Sequence, residues 1–184
     1  MAAGRYAKAV IGASLLTVML TACGNGERPG FGPDGIPIEN FTAEQIFERG
    51  EFELDRNDPE DAAFYFSEVE RLYPYSEWAK RALIMQAFAH HQNKDYENSR
   101  GSAQRYIDFY PTDEDAAYAQ YLLALSYYDQ IEEVGRDQGL TFQALQALRT
   151  VIEIYPDSEY ARSSVLKFDL AFDHLAAKEM EIGR

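Results

Sequence analysis

Chemistry needs reactive side chains in the right number and spacing, and this chain offers few. Cys23 is its one cysteine, so no intrachain disulfide can form and the thiol is left for a single covalent attachment. His90 and His91 are adjacent. On a helix, adjacent residues point about 100° apart, so this pair cannot close on one metal ion as histidines four residues apart can. His174 is far from both in sequence, and no phosphate-cradling glycine loop, nucleophile elbow or Cys/His metal spacing occurs. Carboxylates are plentiful, with 31 Asp and Glu. Many stand beside arginines at helical spacing, as in Glu68 with Arg71 and Glu77 with Arg81, which reads as surface pairing along helices. The expectation is a non-enzyme without metal or cofactor, whose one covalent event is at Cys23.

The surroundings of Cys23 say what that event is. Arg5 and Lys8 precede an apolar run, Ala9 to Ala22, which ends in Leu20-Thr21-Ala22 immediately before the cysteine. A basic head, a short apolar middle and small residues before the cut describe a secretory signal peptide over residues 1–22. The run is 14 residues long, too short to cross a hydrocarbon core of roughly 30 Å as a helix. The Leu-Thr-Ala-Cys ending is similar to the lipobox of bacterial lipoproteins, which implies that Cys23 becomes the acylated N-terminus of the mature chain. Gly24 after the cysteine implies sorting to the outer membrane. Residues 23–41 then read as a tether, since Gly24 to Asn40 hold five glycines and three prolines and little that could pack.

Charge narrows the partners. Removing Arg5 and Lys8 with the signal leaves 15 basic against 31 acidic residues, a net −16. Nucleic acid is held through clusters of Lys and Arg that release its counterions, and no such cluster is present. Anionic lipid repels the same charge, which leaves an acyl group to hold the protein at a membrane.

The elements that carry these residues repeat. Leu72-Tyr73-Pro74, Phe109-Tyr110-Pro111 and Ile154-Tyr155-Pro156 form one phrase, and other positions keep step with it: Gly50, Ala87 and Ala124 succeed one another at intervals of 37 residues. Ala62, Ser99 and Ala144 stand twelve before each proline, and Val69, Tyr106 and Val151 five before. The third phrase comes after 45 residues rather than 37, because a segment within Gln130 to Gly139 is inserted. Self-similarity at such a period means a stacked array of one supersecondary unit. Residues 42–184 are expected to form it, all-α, as three helical hairpins plus one unpaired helix. Thr42 caps a helix to Asp55, Asn57-Asp58-Pro59 turns, and Glu60 to Leu72 returns. Ser76–Asn93 pairs with Tyr96–Phe109, Asp113–Glu133 pairs with Leu140–Ile154, and a last helix begins near Ser158. Gly50 and Ala62 mark a close crossing, with Phe66, Val69 and Leu72 behind it. Phe66, Phe109, Phe142 and Tyr155 are expected to face neighbouring helices. Tyr118, Tyr121, Tyr127 and Tyr128 crowd one helix, where packing between repeats competes with a role as a ligand platform.

Pattern and spacing resemble the tetratricopeptide repeat, with Glu53 and His90 standing near where a repeat aromatic is expected. Two stretches resemble something narrower. Tyr127-Tyr128-Asp129-Gln130-Ile131-Glu132-Glu133-Val134-Gly135-Arg136-Asp137-Gln138, which includes the inserted segment, and His174 through Arg184 closely resemble the BamD family in its alphaproteobacterial form. That resemblance implies a lipid-anchored, periplasm-facing outer-membrane scaffold of β-barrel assembly. It implies two kinds of partner, unfolded outer-membrane proteins and the periplasmic domains of BamA, with Tyr121, Tyr128 and Arg136 as candidate partner-binding residues. Another periplasmic tetratricopeptide adaptor, such as a Tol–Pal-associated envelope protein, is the alternative. Such adaptors usually carry a coiled coil and lack the lipobox.

Family members of this kind carry about five repeats, so the chain reads as truncated at its C-terminus. In the last helix Ala161, Val165, Phe168, Phe172, Leu175 and Ala176 form a stripe expected to be half covered at best. Asp169, thirteen after Pro156 where Ala87 and Ala124 stand in the earlier units, suggests a shifted register or a frayed helix.

Overall fold

The computed structural model describes residues 35–131 and 138–182. Among these, α1 (Ala43–Asp55), α2 (Pro59–Leu72), α3 (Glu77–Gln92), α4 (Tyr96–Phe109), α5 (Ala116–Tyr128), α6 (Gln138–Ile154) and α7 (Glu159–Ile182) follow a single 3-10 turn at Ile38–Asn40. Five of the starts carry a side-chain cap, while α5 has none. Thr42 and Gln45 form a reciprocal capping box, Asp58 accepts from the Asp61 amide ahead of Pro59, and Ser76, Asp95 and Ser158 accept from the amides three residues on. Asn57 and Lys94 both turn at positive φ, 61° and 60°. They close equivalent hairpin corners, and only the first carries a residue type that favours that conformation.

Successive helices pack antiparallel, α1 on α2 through α6 on α7, and the first helices of the hairpins also touch in line, α1 with α3, α3 with α5, α5 with α7. The repeat therefore has an inner row of first helices and an outer row of second helices. Its core is continuous. Phe47, Phe66, Val69, Leu83, Ala87, Tyr106, Leu122, Ala124, Leu148 and Val151 are buried along it. The crossings are where the period places them. Gly50 lies so close to α2 that a Cβ would stand 2.7 Å from the Phe66 ring, and Ala62, Ser99 and Ala144 are fully buried at the matching positions.

Unit two differs from its neighbours in polarity and compensates locally. Where units one and three have Val69 and Val151, it has Tyr106, fully buried, whose hydroxyl must find a partner. It donates to Asp113 at 2.6 Å, while Lys80 donates to the other oxygen of that carboxylate at 2.7 Å. Asp113 stands where the flanking units have the capping serines Ser76 and Ser158. Its carboxyl is held well below the ordinary range, at about 2, first by the Lys80 hydrogen bond and then by Tyr106. Ser99 likewise replaces an alanine, and its hydroxyl donates to the Ala87 carbonyl at 2.9 Å and meets Ser126 at 3.0 Å.

Several expectations change. The body begins before Thr42: Ile38 is buried in the stretch read as tether, and Tyr73 donates to the Phe41 carbonyl at 2.5 Å. α5 is shorter than 113–133, because Asp113 is occupied by Tyr106, Lys80 and the Asp115 amide, and the chain turns after Tyr128. Phe109 and Phe142 do not face neighbours but are 64% and 57% exposed. Phe142 sits at the place of Glu60 and Glu97, an outer position; Ile154, the counterpart of Phe109, is exposed as well.

In α7 the buried face is Ala161, Ser164 and Ala171, with Phe168 and Leu175 half-buried, whereas Val165, Phe172 and Ala176 are exposed. The register is not shifted. Ala161, Ser164 and Ala171 match Ala79, Ala82 and Ala89 of α3 and Ala116, Ala119 and Ser126 of α5, all buried. Asp169 instead occupies the place where Ala87 and Ala124 meet the second helix of their own hairpin, and it is exposed.

Two predictions follow from this packing. Gly50→Ala should lower the thermal midpoint by a few degrees. Overpacking costs about 1–3 kcal/mol, against which the better helix propensity of alanine returns at most about 1 kcal/mol. In a Phe66→Leu background the same change should become neutral or stabilising, and a thermal melt of the four variants followed by circular dichroism decides it. The second concerns acid. Because the folded pKa of Asp113 lies below the unfolded value near 4, its contribution is fully present above about pH 4 and is lost as the pH falls towards 2. The gap in midpoint between wild type and Asp113→Asn should be widest above pH 4 and close towards pH 2.

Candidate functional site

The inner row of first helices presents aromatic side chains held by their neighbours. On α1 and α3, Phe47 packs against Phe66 with ring centroids 5.2 Å apart and against Trp78 at 5.0 Å. The Arg81 guanidinium lies 4.6 Å from the Phe47 centroid and 4.7 Å from that of Trp78. The sequence pairs Arg81 with Glu77, but no such bridge forms. The arginine turns onto the two rings, which attract a cation through their faces. Glu68 and Arg71 do pair as expected, at 2.9 and 3.0 Å through the arginine Nε.

Farther along, Tyr118 and Tyr121 of α5 pack on Tyr160 of α7 at 5.2 and 5.4 Å. Arg100 of α4 covers Tyr127 at 4.6 Å, and Lys167 of α7 covers Tyr128 at 5.0 Å. All four tyrosines are half-buried and engaged between helices. Burial pushes the Tyr118 phenol up to about 12 and raises Tyr121 as well. These are neutral packing groups at ordinary pH. Of the candidate partner-binding residues, Tyr121 and Tyr128 therefore lie about two turns apart on α5, each against α7. Arg136 lies outside the described residues, as does Cys23.

The histidines point apart as helical spacing requires. His90 faces Asp95 at 3.5 Å and His91 faces Asp129 at 3.1 Å, and burial lowers the His90 pKa. Glu53, Asp58 and Asp61 converge within reach of one ion. Glu53 is buried, however, and already bridged by Arg49 at 2.6 Å and Arg56 at 3.2 Å, while Asp58 caps α2. The cluster fastens the first hairpin corner. Glu53 thus fills a repeat-aromatic position with a carboxylate clamped by two arginines, a pairing the sequence reading did not anticipate.

On the opposite side, a groove of about 810 Å³ opens between α2 and α4 over α3. Leu83 floors it, Tyr75 and Phe109 stand exposed at its mouth, and Arg105 spans it to Glu70 at 2.9 Å and Gln86 at 3.1 Å. A smaller cavity of about 260 Å³ lies along α1, among Ile38, Phe41, Ile46, Phe52 and Tyr65. No helix among the described residues is long and apolar enough to cross a membrane.

Residues 39–184 match the family model YfiO, described as an outer membrane lipoprotein. The chain belongs to this family. It is 42% identical over 175 residues to the outer membrane protein assembly factor BamD of Caulobacter vibrioides, covering 95% of this chain and 56% of that protein. It is 38% identical to the protein of the same name from Rickettsia prowazekii, over 76% of this chain and 55% of the relative. A more distant namesake from Xylella fastidiosa is 23% identical over 90% of this chain and 58% of its own length. The chain thus spans a little over half the length of the curated relatives it matches, and these bear the name of an assembly factor, not of an enzyme. Among solved structures, the MamA protein superposes with a TM-score of 0.56 at 19% identity, over 79% of this chain and 69% of that one, a likeness of fold alone. The stacked-hairpin architecture and the BamD-type family expected from the sequence are both found.

Proposed function

We propose that this protein is a lipid-anchored, periplasm-facing scaffold of the machinery that assembles β-barrels in the outer membrane. In this reading it binds unfolded outer-membrane proteins and docks on the periplasmic domains of BamA. The observation that carries it is the 42% identity to an assembly factor over 95% of this chain. Two features of the chain support it. The lipobox ending at Cys23 supplies a covalent anchor that a net charge of −14 could not replace by attraction to anionic lipid. A stack of hairpins also offers an extended surface without chemistry of its own, the usual use of such repeats. Tyr121, Tyr128 and Arg136 are proposed to contribute to partner binding through the α5 to α6 region, with the tyrosines shaping the surface from between helices.

Two experiments test this. Cys23→Ala should release the protein from the outer membrane into the soluble periplasmic fraction in cells lacking its partners, without altering its circular dichroism spectrum. A mutant that still sediments with the outer membrane would remove the anchor from the proposal. For the scaffold role, the mature chain immobilised on a sensor should retain BamA periplasmic domains and urea-denatured β-barrel protein from dilute solution. It should ignore the same barrel once folded in detergent. Equal retention of folded and unfolded barrel would overturn the receptor function.

A further inference from the structure

Cations are scarce on this chain, and five of the described ones are bound to carboxylates. Arg49 and Arg56 hold Glu53, Arg71 holds Glu68 and Glu39, Lys80 holds Asp113, and Arg105 holds Glu70. Arg81 is different. It is exposed, it stacks on Phe47 and Trp78 at 4.6 and 4.7 Å, and among the described residues it has no carboxylate or hydrogen-bond partner. The two rings come from different helices and are tilted 49° to each other, so they confine the guanidinium from two sides while the side chain stays open to solvent. Phe47 is fully buried beneath it and Trp78 half-buried beside it, so the cation rests on a platform that the core fixes.

A planar donor fork confined in advance between two rings suits one ligand group above others, a carboxylate, which takes two parallel N–H bonds at once. Little rotamer freedom remains to be lost on binding, which is what raises affinity for a preorganised contact. The surroundings are apolar on one side, with Trp78 and the half-buried Met85 on α3. On α1, Glu44 and Glu51 stand exposed about one turn to either side of Phe47. A ligand must therefore bring its carboxylate onto the arginine and its neighbouring side chains onto the apolar side.

We infer that Arg81, held between Phe47 and Trp78, is an anchor for an acidic side chain in an extended, otherwise apolar segment of a bound unfolded polypeptide. This deepens the receptor reading and rests on it. Arg81 lies on an open surface, so the site takes a segment passing across the row of first helices, and the assigned source of the carboxylate is an Asp or Glu side chain within it. The sequence hid this, because Glu77 four residues earlier offers an ordinary surface partner that the structure does not use.

Trp78 is the only tryptophan in the chain, so its fluorescence reports on the site directly. The mature chain is titrated with a ten-residue peptide, acetylated and amidated, whose one charge is a central Asp among Val, Tyr and Thr, and with its Asn twin. The Asp peptide should bind at least about tenfold more tightly, the ratio expected for a charge-assisted hydrogen bond set against a neutral one. Arg81→Gln should abolish the preference, and Arg81→Lys should restore only part of it, since an ammonium cannot form the fork. Equal affinities for the twins, or a preference that survives Arg81→Gln, would overturn the inference. So would stronger binding of the Asn peptide with a free C-terminal carboxylate, or a Trp78 response only to vesicles containing phosphatidylglycerol. Urea-denatured barrel protein, tested in parallel, separates the two levels. If the wild type does not bind it, the receptor reading fails whatever the peptides do. If wild type and Arg81→Gln bind it equally, only the anchor fails.

Discussion

The structure depends on how closely two helices can approach at one point in each unit. Gly50 over Phe66 has no room for a methyl group, and Ala87, Ala124, Ala62, Ser99 and Ala144 are buried without remainder at the equivalent places. Small side chains there let the larger ones on either side, Phe47, Phe66, Tyr106, Leu122 and Leu148, close around the contact. A helix pair of this length cannot bury both of its faces alone, so each hairpin is completed by the next and stability runs along the array as a sum of units and interfaces. What one unit does at its crossing is therefore felt in its neighbours.

That dependence explains why polar departures from the repeat come in sets. Tyr106 in place of valine would strand a buried hydroxyl, which costs on the order of 1–3 kcal/mol when unpaired. Asp113 meets it from the turn that leads into the next unit, and Lys80 reaches the same carboxylate from α3. The three residues lie on α3, α4 and the turn into α5. Ser99 and Ser126 do the same between α4 and α5, where a hydroxyl pair at 3.0 Å replaces an apolar contact. In each case the altered residue and its partner belong to different hairpins. The interface of units two and three thereby carries polar pairs of its own.

The hairpins were legible because their signals are local and repeated: a cap, a glycine or alanine at the crossing, a Tyr-Pro stop. Helix ends that depend on distant partners were not. α5 starts later than its unit's first helix should because Asp113 is bound by residues 7 and 33 positions earlier, a pairing no local rule exposes. Phe109 and Phe142 look like core residues by type, yet Glu60 and Glu97 at the place of Phe142 already mark it as an outer position; the period carried the information and residue type obscured it. The stripe in α7 was misread for a related reason. Alanines and a serine, not the large apolar residues, sit on its buried face, at the places where α3 and α5 also bury small residues. The Arg81 platform was invisible for a plainer cause. Phe47 and Trp78 lie on different helices, and nothing in the sequence brings them together except the fold.

The electrostatics of the array follow from the same economy. A chain with 17 basic and 31 acidic residues has more carboxylates than cations, and among its described cations some bridge a carboxylate and others rest on aromatic rings. At the first corner one buried carboxylate, Glu53, takes both Arg49 and Arg56. Arg81 instead rests on two rings, one from α1 and one from α3, whose spacing is set by the packing of Phe47 on Phe66 beneath. The Gly50 crossing controls where Phe66 can lie, Phe66 supports Phe47, and Phe47 supports the cation. The orientation of that charge is thus a property of the hairpin and not of the side chain, and any change that loosens the crossing should blunt the platform before it unfolds the repeat.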